Sequence, residues 1–328
     1  ELTVEARFVP PADGEAVTDR FEADFVFRDD AGQAVAMAFG AVAELRAVEG
    51  VEEPLVIDPA WVDPTKWKEV FDLDQRLQAA ELMGIRNPYF QVHEGTARDT
   101  TVVQGREMLH FSSYNYLGYS GDPRVTEAVC EAVARYGTSV SASRVASGER
   151  PFHHELEKEL AQAQQLDDAL VFSAGHMTNV NVVGHIMKPG DLILHDEFAH
   201  DSLLQGAKLS GAGRRGFRHE DPDHLEQLLK ELRGNHKKCM ILIEGVYSMD
   251  GDICDLPRYV ELKKKYGCLL MVDEAHSFGV CGKTGRGVGE HWQDLVGLKP
   301  SDADLWMGTL SKSLASCGGW IGGSAAMI

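Results

Sequence analysis

Short, continuous apolar runs separated by amphipathic stretches dominate the chain from Val125 onward. Ala169-Leu170-Val171-Phe172, Leu192-Ile193-Leu194, Met240-Ile241-Leu242-Ile243 and Leu269-Leu270-Met271-Val272 are too short for helices and apolar throughout, which is how strands covered on both faces read. Between them, Phe152 to Gln164 and Asp223 to Leu232 carry apolar residues at helical spacing. This alternation predicts an α/β fold with a mostly parallel sheet and helices on both faces. Ligands of such sheets bind beyond the carboxyl ends of the strands, so the residues just after each run, Asp273 and Gly175 among them, are the first candidates for chemistry.

The first third reads differently. Phe21 to Arg28 and Gln33 to Leu45 alternate in strand fashion around Asp29-Asp30-Ala31-Gly32, which predicts an antiparallel hairpin. Pro54 to Pro64 reads as a linker, and Trp67 to Met83 as a helix suited to packing against a partner subunit. Three segments result: a strand-rich stretch at 1–52, a linker and helical segment at 53–110, and a large ligand-binding domain at 111–328.

Composition narrows the function. A chain of 328 residues with 44% hydrophobic content can bury a sizeable core, and no apolar run approaches a membrane span. The first residues lack the basic-then-apolar pattern of a secretion signal, so a soluble, cytoplasmic protein is expected. With 51 acidic against 32 basic residues and a net charge of -19, a nucleic-acid partner is disfavoured. The six cysteines show no C-x-x-C spacing, and Cys239 and Cys268 sit in strand-like runs where a thiol acts as a small hydrophobe. Among thirteen histidines no H-E-x-x-H occurs; His219-Glu220 is followed by Asp221-Pro222-Asp223-His224, with the wrong spacing, and no metal is assigned.

Two motifs carry the chemistry. Met271-Val272-Asp273-Glu274-Ala275-His276 places a carboxylate at a strand end, and Gly308-Thr309-Leu310-Ser311-Lys312 places an amine after a tight turn. A buried carboxylate can keep a pyridinium nitrogen protonated, and a desolvated lysine can form a Schiff base with an aldehyde, which together suit pyridoxal 5'-phosphate (PLP). Asp-Glu-Ala-His is also a helicase box, but that reading needs an upstream phosphate-binding loop; here the only Gly-Lys-Thr, Gly282-Lys283-Thr284, lies downstream. Lys312 read alone would be a surface charge, yet Trp306-Met307 before it and Gly318-Gly319-Trp320-Ile321-Gly322-Gly323 after it make an apolar, close-packed setting that should lower its pKa.

Over roughly residues 85 to 328 the chain resembles the α-oxoamine synthase family of fold-type I PLP enzymes, which includes 8-amino-7-oxononanoate synthase, 2-amino-3-ketobutyrate ligase, 5-aminolevulinate synthase and serine palmitoyltransferase. The resemblance runs in order through Tyr114-Asn115-Tyr116-Leu117-Gly118, Ser143-Arg144-Val145-Ala146-Ser147-Gly148, His153-His154-Glu155-Leu156-Glu157, Phe198-Ala199-His200-Asp201-Ser202, Glu244 to Gly251, and the two motifs above. The wording around Ser141-Ala142-Ser143-Arg144 and Leu310 to Gly319 is most similar to synthase domains of polyketide or fatty-acid assembly lines. That similarity implies an acyl carrier protein as one source of the acyl thioester, with acyl-CoA as the other. Residues 1–52 weakly resemble the last strands of a hot-dog dehydratase-like domain; a family-specific hairpin is the alternative.

The resemblance implies a fold-type I PLP-dependent transferase large domain acting as a homodimer. It also implies that Lys312 binds PLP, Asp273 pairs with the ring nitrogen, His276 bonds the phenolic oxygen, and His200 lies against the ring face. Ser248 falls near the phenolic oxygen, Thr309 on the phosphate, Gly175 and His176 at the phosphate cup, and Asn115 at the substrate carboxylate. His176 stands where the family often has an aromatic residue, so only its backbone amide is carried over. Taken singly, His200 reads as a histidine at a helix start, Thr309 and Ser248 as turn hydroxyls, and Asn115 as a cap before the helix of Pro123.

The implied reaction is a decarboxylative Claisen condensation. Lys312 takes the α-proton of a small amino acid, the α-carbon attacks the thioester, CO₂ leaves and an α-amino ketone results, with Lys312, His200 and Asp273 as catalytic residues. An aminotransferase or aldolase of the same fold, or an idle partner subunit, are the competing readings. The chain ends 16 residues past Lys312. The family's small C-terminal domain, with its carboxylate-gripping arginine, is therefore expected to be absent from it.

Overall fold

The computed structural model describes residues 57–85, 87 and 89–328 with their side chains, together with the backbone of three earlier strands. These are β1 (Thr3–Val9), β2 (Arg20–Arg28) and β3 (Ala34–Glu44), paired antiparallel in that order. The expected hairpin is present as β2 and β3, with Phe21 opposite Ala43 and Arg28 opposite Ala34. Its turn lies outside the described residues. Two compact units divide the chain, Glu1–Tyr89 and Phe90–Ile328. In the first, short 3₁₀ turns at Pro59–Val62 and Pro64–Lys66 follow Asp58 and Asp63, whose carboxylates cap them, and lead into helix α1 (Lys68–Leu82). No residue of α1 is buried, and Phe71, Leu73 and Leu77 are exposed on it.

The second unit opens with an antiparallel ribbon of β4 (His93–Glu94), β5 (Thr100–Val103) and β6 (Arg106–Leu109). Gln104 and Gly105, both at positive φ, turn β5 into β6 as a two-residue hairpin requires. There follow α2 (Pro123–Tyr136), α3 (Pro151–Ala163), β7 (Asp168–Phe172), α4 (Gly175–Ile186), β8 (Leu192–Asp196), α5 (Asp201–Ser210), β9 (Gly213–Phe217), α6 (Pro222–Leu232), β10 (Cys239–Glu244), α7 (Leu256–Tyr266), β11 (Leu269–Asp273), α8 (Val288–Val296), β12 (Leu305–Thr309) and β13 (Gly319–Gly323).

Strands β7 to β13 form one seven-stranded sheet in the order β7-β13-β12-β11-β10-β8-β9. Every neighbouring pair is parallel except those made by β13, which runs against both β12 and β7. The period of two along each strand builds two cores. Cys239, Ile241 and Ile243 of β10 with Leu270 and Val272 of β11 pack with Leu225 of α6 and Tyr259 of α7 on one face. Met240, Leu242 and Met271 pack with Val183 of α4 and Leu203 of α5 on the other. Helices therefore cover both faces, and strands buried on both sides must be apolar at every position.

β13 carries no apolar run in its sequence, since glycine pairs stand at Gly318-Gly319 and Gly322-Gly323. Close approach explains these glycines: a Cβ on Gly319 would lie 2.4 Å from Thr178 Oγ1 and 2.6 Å from the Gly175 backbone. The Trp320 indole likewise lies 2.4 Å from where a Gly308 Cβ would be. β9, with Arg214 and Arg215 at the sheet edge, lacks the apolar signal altogether.

Arg144 ties the motif around it to the sheet. Its guanidinium meets Glu149 at 2.6 Å, Glu157 at 2.6 Å and the Val171 carbonyl at 3.2 Å, and Glu157 also accepts the Val171 N–H. Glu274 does the same for α8. Fully buried, its carboxylate accepts the Val288 and Gly289 N–H groups at 3.0 and 3.1 Å and the Ser277 hydroxyl, filling the start of that helix where no N-cap side chain bonds. Burial is the leading influence on it and raises its pKa to about 7. The folded state thus holds a proton that the unfolded chain releases near 4.5, so this contribution is full below pH 4.5 and is lost as pH rises through 7. Glu274→Ala is expected to cost about 3 kcal/mol by leaving two buried N–H groups without acceptors. Glu274→Gln should flatten the fall in melting temperature between those pH values, which thermal denaturation across that range measures.

Candidate active site

Along the carboxyl edge of the sheet, four strand ends converge on one cavity of about 220 Å³. β11 brings Asp273, β10 brings Glu244, β12 brings Thr309, and the turn after β7 brings Gly175 and the first turn of α4. His200, Ser202, Asn179, His276 and Lys312 also line it. The cavity thus lies beyond the carboxyl ends of the strands, where ligands of such sheets bind.

Lys312 sits in the tight connection between β12 and β13, closed by Leu310 N–H to Gly318 O at 3.0 Å and Ser316 N–H to Leu310 O at 2.8 Å. Ala315, at positive φ, donates to the Lys312 carbonyl and helps bend this loop. Nζ of Lys312 lies 2.7 Å from His276 Nε2 and 5.4 Å from the centre of the Tyr114 ring. Burial lowers the lysine pKa, against the pull of the Asp273 and Glu244 charges. His276 is held at about 4, first by burial and then by the Lys312 and His200 charges, so its imidazole is neutral across the physiological range. A charged Lys312 then donates to Nε2, which leaves the ring proton on Nδ1, 2.7 Å from the Tyr116 hydroxyl oxygen. Tyr116→Phe removes the end of this chain; a rate loss of about 3- to 10-fold with cofactor binding retained is expected, checked by kcat/KM and cofactor absorbance.

Asp273 and Glu244 are register partners on adjacent parallel strands, so two buried carboxylates stand side by side. Burial and the Asp273 charge push Glu244 up to about 8, while the His200 N–H, 2.6 Å from Glu244 Oε1, opposes the shift. At neutral pH Glu244 is mainly protonated. Asp273 accepts the Ala275 N–H on one oxygen at 2.9 Å and the Asn179 amide on the other at 2.7 Å.

The remaining expected residues divide. His200 caps α5, accepting the Ser202 N–H at Nδ1, so the helix-start reading holds and the ring still borders the cavity. Thr309 is buried, donates to Gly318 O at 3.0 Å, and would touch a Cβ on Gly175 at 2.9 Å. No side chain caps α4, whose first turn, from Gly175 and His176, opens onto the cavity with its N–H groups forward. The His176 ring is exposed and meets His200 edge-on. Ser248 is exposed and lies outside the lining. Asn115 lies in a separate cavity, with both ends of its amide engaged, to Ala97 O at 2.8 Å and from Ser120 N–H at 3.0 Å; the cap of α2 is Asp122. Tyr116, Glu244, Asn179 and Ser202 were not assigned a role in the sequence. Tyr116, Glu244 and Ser202 lie inside quoted motifs, which was the available signal; Asn179 had none.

The arrangement suits one kind of ligand: an anion at the α4 terminus, a basic ring nitrogen at Asp273 and an aldehyde at Lys312. A family model described as aminotransferase class I and II matches residues 106–328. A putative 8-amino-7-oxononanoate synthase of Gloeobacter violaceus is 45% identical over 238 residues, covering 73% of this chain and 60% of that protein. The chain thus spans about three fifths of the length of the curated relatives it matches. Serine palmitoyltransferase of Sphingomonas wittichii superposes with a TM-score of 0.74 at 32% identity, over 79% of this chain and 63% of that one. A high-resolution structure of SPT with PLP gives 0.72 at 32% identity, over 80% and 64%.

Proposed function

Because this chain belongs to the aminotransferase class I and II family, with α-oxoamine synthases as its relatives and structural neighbours, we propose that it condenses a small amino acid with an acyl thioester on PLP, releasing CO₂ and an α-amino ketone. The observation that carries this reading is the desolvated amine of Lys312 sharing one cavity with the buried carboxylate of Asp273 and the uncapped start of α4.

The residues fit the cofactor part by part. Asp273 would hold the ring nitrogen, the first turn of α4 the phosphate, with the Thr309 hydroxyl turned from Gly318 O toward it, Lys312 the aldehyde, and His200 the ring face. PLP supplies an electron sink for the pair left at the amino acid α-carbon. Lys312 takes and returns protons at Nζ, and burial, by lowering its pKa, eases release of the proton it carries. His276 stays neutral and accepts at Nε2, orienting that amine rather than competing with it for the proton. Glu244 beside Asp273 is raised to about 8, so the proton of this side-by-side pair sits on Glu244 at neutral pH. His200 offers Nε2–H toward the substrate carboxylate or the thioester carbonyl.

The homodimer reading is supported by exposed apolar side chains in the Phe90–Ile328 unit, including Leu109, Phe111 and Val145, a pattern that marks an interface. An acyl carrier protein is the finer proposal for the acyl donor and rests on the wording of the Ser143 and Lys312 motifs. Incubation with glycine, alanine or serine and a thioester on CoA or on carrier protein should give CO₂ only when the thioester is present. Release of CO₂ without any acyl donor would end this reading. Faster turnover with CoA than with carrier protein would remove the carrier-protein part alone.

A further inference from the structure

Asn179 joins two parts of the site that no sequence motif connects. One amide, on the buried face of α4, donates to Asp273 Oδ2 at 2.7 Å and to Ser202 Oγ at 3.0 Å. Both of its N–H bonds are then used, so the Ser202 hydroxyl must direct its own proton elsewhere. The remaining neighbour is His200 Nδ1, 2.7 Å away, which also receives the Ser202 N–H at 3.2 Å. The amide orientation is fixed: turned over, its oxygen would face the Asp273 carboxylate. As placed, Asn179 Oδ1 is buried and has no partner, although the residue is 1% exposed. A buried acceptor left unpaired is costly, and the two donor bonds offset that cost.

We propose that Asn179 is a positioning residue that couples Asp273 to His200 through Ser202, locking His200 as the tautomer with its proton on Nε2. The proposal rests on the reading that assigns Asp273 to the ring nitrogen and His200 to the ring face. Its effect is to present a hydrogen-bond donor, never a lone pair, from His200 toward the oxygen that gains charge when the new carbon–carbon bond forms. Gly206 makes the relay possible. A Cβ there would lie 2.8 Å from the Asn179 carbonyl oxygen and 2.9 Å from Val183, so α4 and α5 approach closely only because this residue has none.

The test is long-range ¹H–¹⁵N correlation on the full protein labelled at histidine, recorded without PLP, with His200→Gln assigning the signal. The wild-type protein should show a single tautomer protonated at Nε2. Ser202→Ala, which removes the hydroxyl alone, should lower the tautomer ratio about 3- to 10-fold, as loss of one hydrogen bond implies, and Ser202→Thr should restore it. Asn179→Leu should lower the ratio similarly and, in PLP-loaded protein, also move the pH midpoint of cofactor absorbance, which Ser202→Ala should leave in place. His200 protonated at Nδ1 in the wild type, or a ratio unchanged in Ser202→Ala, overturns the relay. If Asn179→Leu does not fold, Ser202→Ala and its rescue still decide it. Absence of PLP from Lys312 would defeat the functional reading instead, and the tautomer result does not depend on it.

Discussion

Lys312→Ala is expected to end covalent cofactor capture and to lower turnover about 10⁴-fold, since one side chain serves as both attachment point and proton carrier. Borohydride reduction followed by peptide mapping should place PLP on the peptide containing Lys312 in the wild-type protein and nowhere in the variant. The substitution should leave the fold intact. Lys312 lies in a loop held by backbone hydrogen bonds between Leu310, Ser316 and Gly318, and its amine contacts His276 rather than either core. An unchanged circular dichroism spectrum with lost labelling would therefore be a chemical effect. Labelling at another lysine, or turnover retained in the variant, would refute the assignment.

The second large effect is expected at Asp273. Asp273→Asn keeps the shape and a hydrogen-bonding group but removes the charge that holds a ring nitrogen protonated, and turnover should fall about 10³-fold, near 4 kcal/mol of barrier. Glu244 cannot take over. Its Oε1 is engaged by the His200 N–H, and its last-strand position points it beside Asp273 rather than in its place. With the neighbouring charge gone, Glu244 should titrate below its present value of about 8, because repulsion by Asp273 is the second cause of that value. A cofactor absorbance band whose pH dependence is the same in the variant and the wild type would show that Asp273 does not act on the ring.

Much of this site was legible because parallel sheets make function local in sequence. Strands β7, β8, β10 and β11 are apolar runs that end where the ligand region starts, so Asp273 and Gly175 could be placed from patterning alone. Lys312 was recognisable from its unusually apolar flanks. Glu244 carried no local sign of its raised pKa, which needs Asp273 on the adjacent strand. Asn179 sits on α4 among Val180 and Val182 and reads as an ordinary helix position; its role exists only where α4, α5 and β11 meet. The glycines of β13 give no strand signal for a different reason. Glycine is required both by turns and by close contact, and only the neighbours, Thr178 and Gly175 on α4 beside Gly319 and Leu166 beside Gly322, separate the two.

The alternation that sends Leu270 and Val272 to one core and Met271 to the other leaves the carboxyl edge intolerant of slippage. Deleting any single residue between Leu269 and Val272 would either turn the residues before the gap to the opposite face or draw Asp273 into the core position of Val272. Length within β11 is thus under tighter constraint than identity: a leucine may become a valine there, but the spacing to the aspartate cannot change.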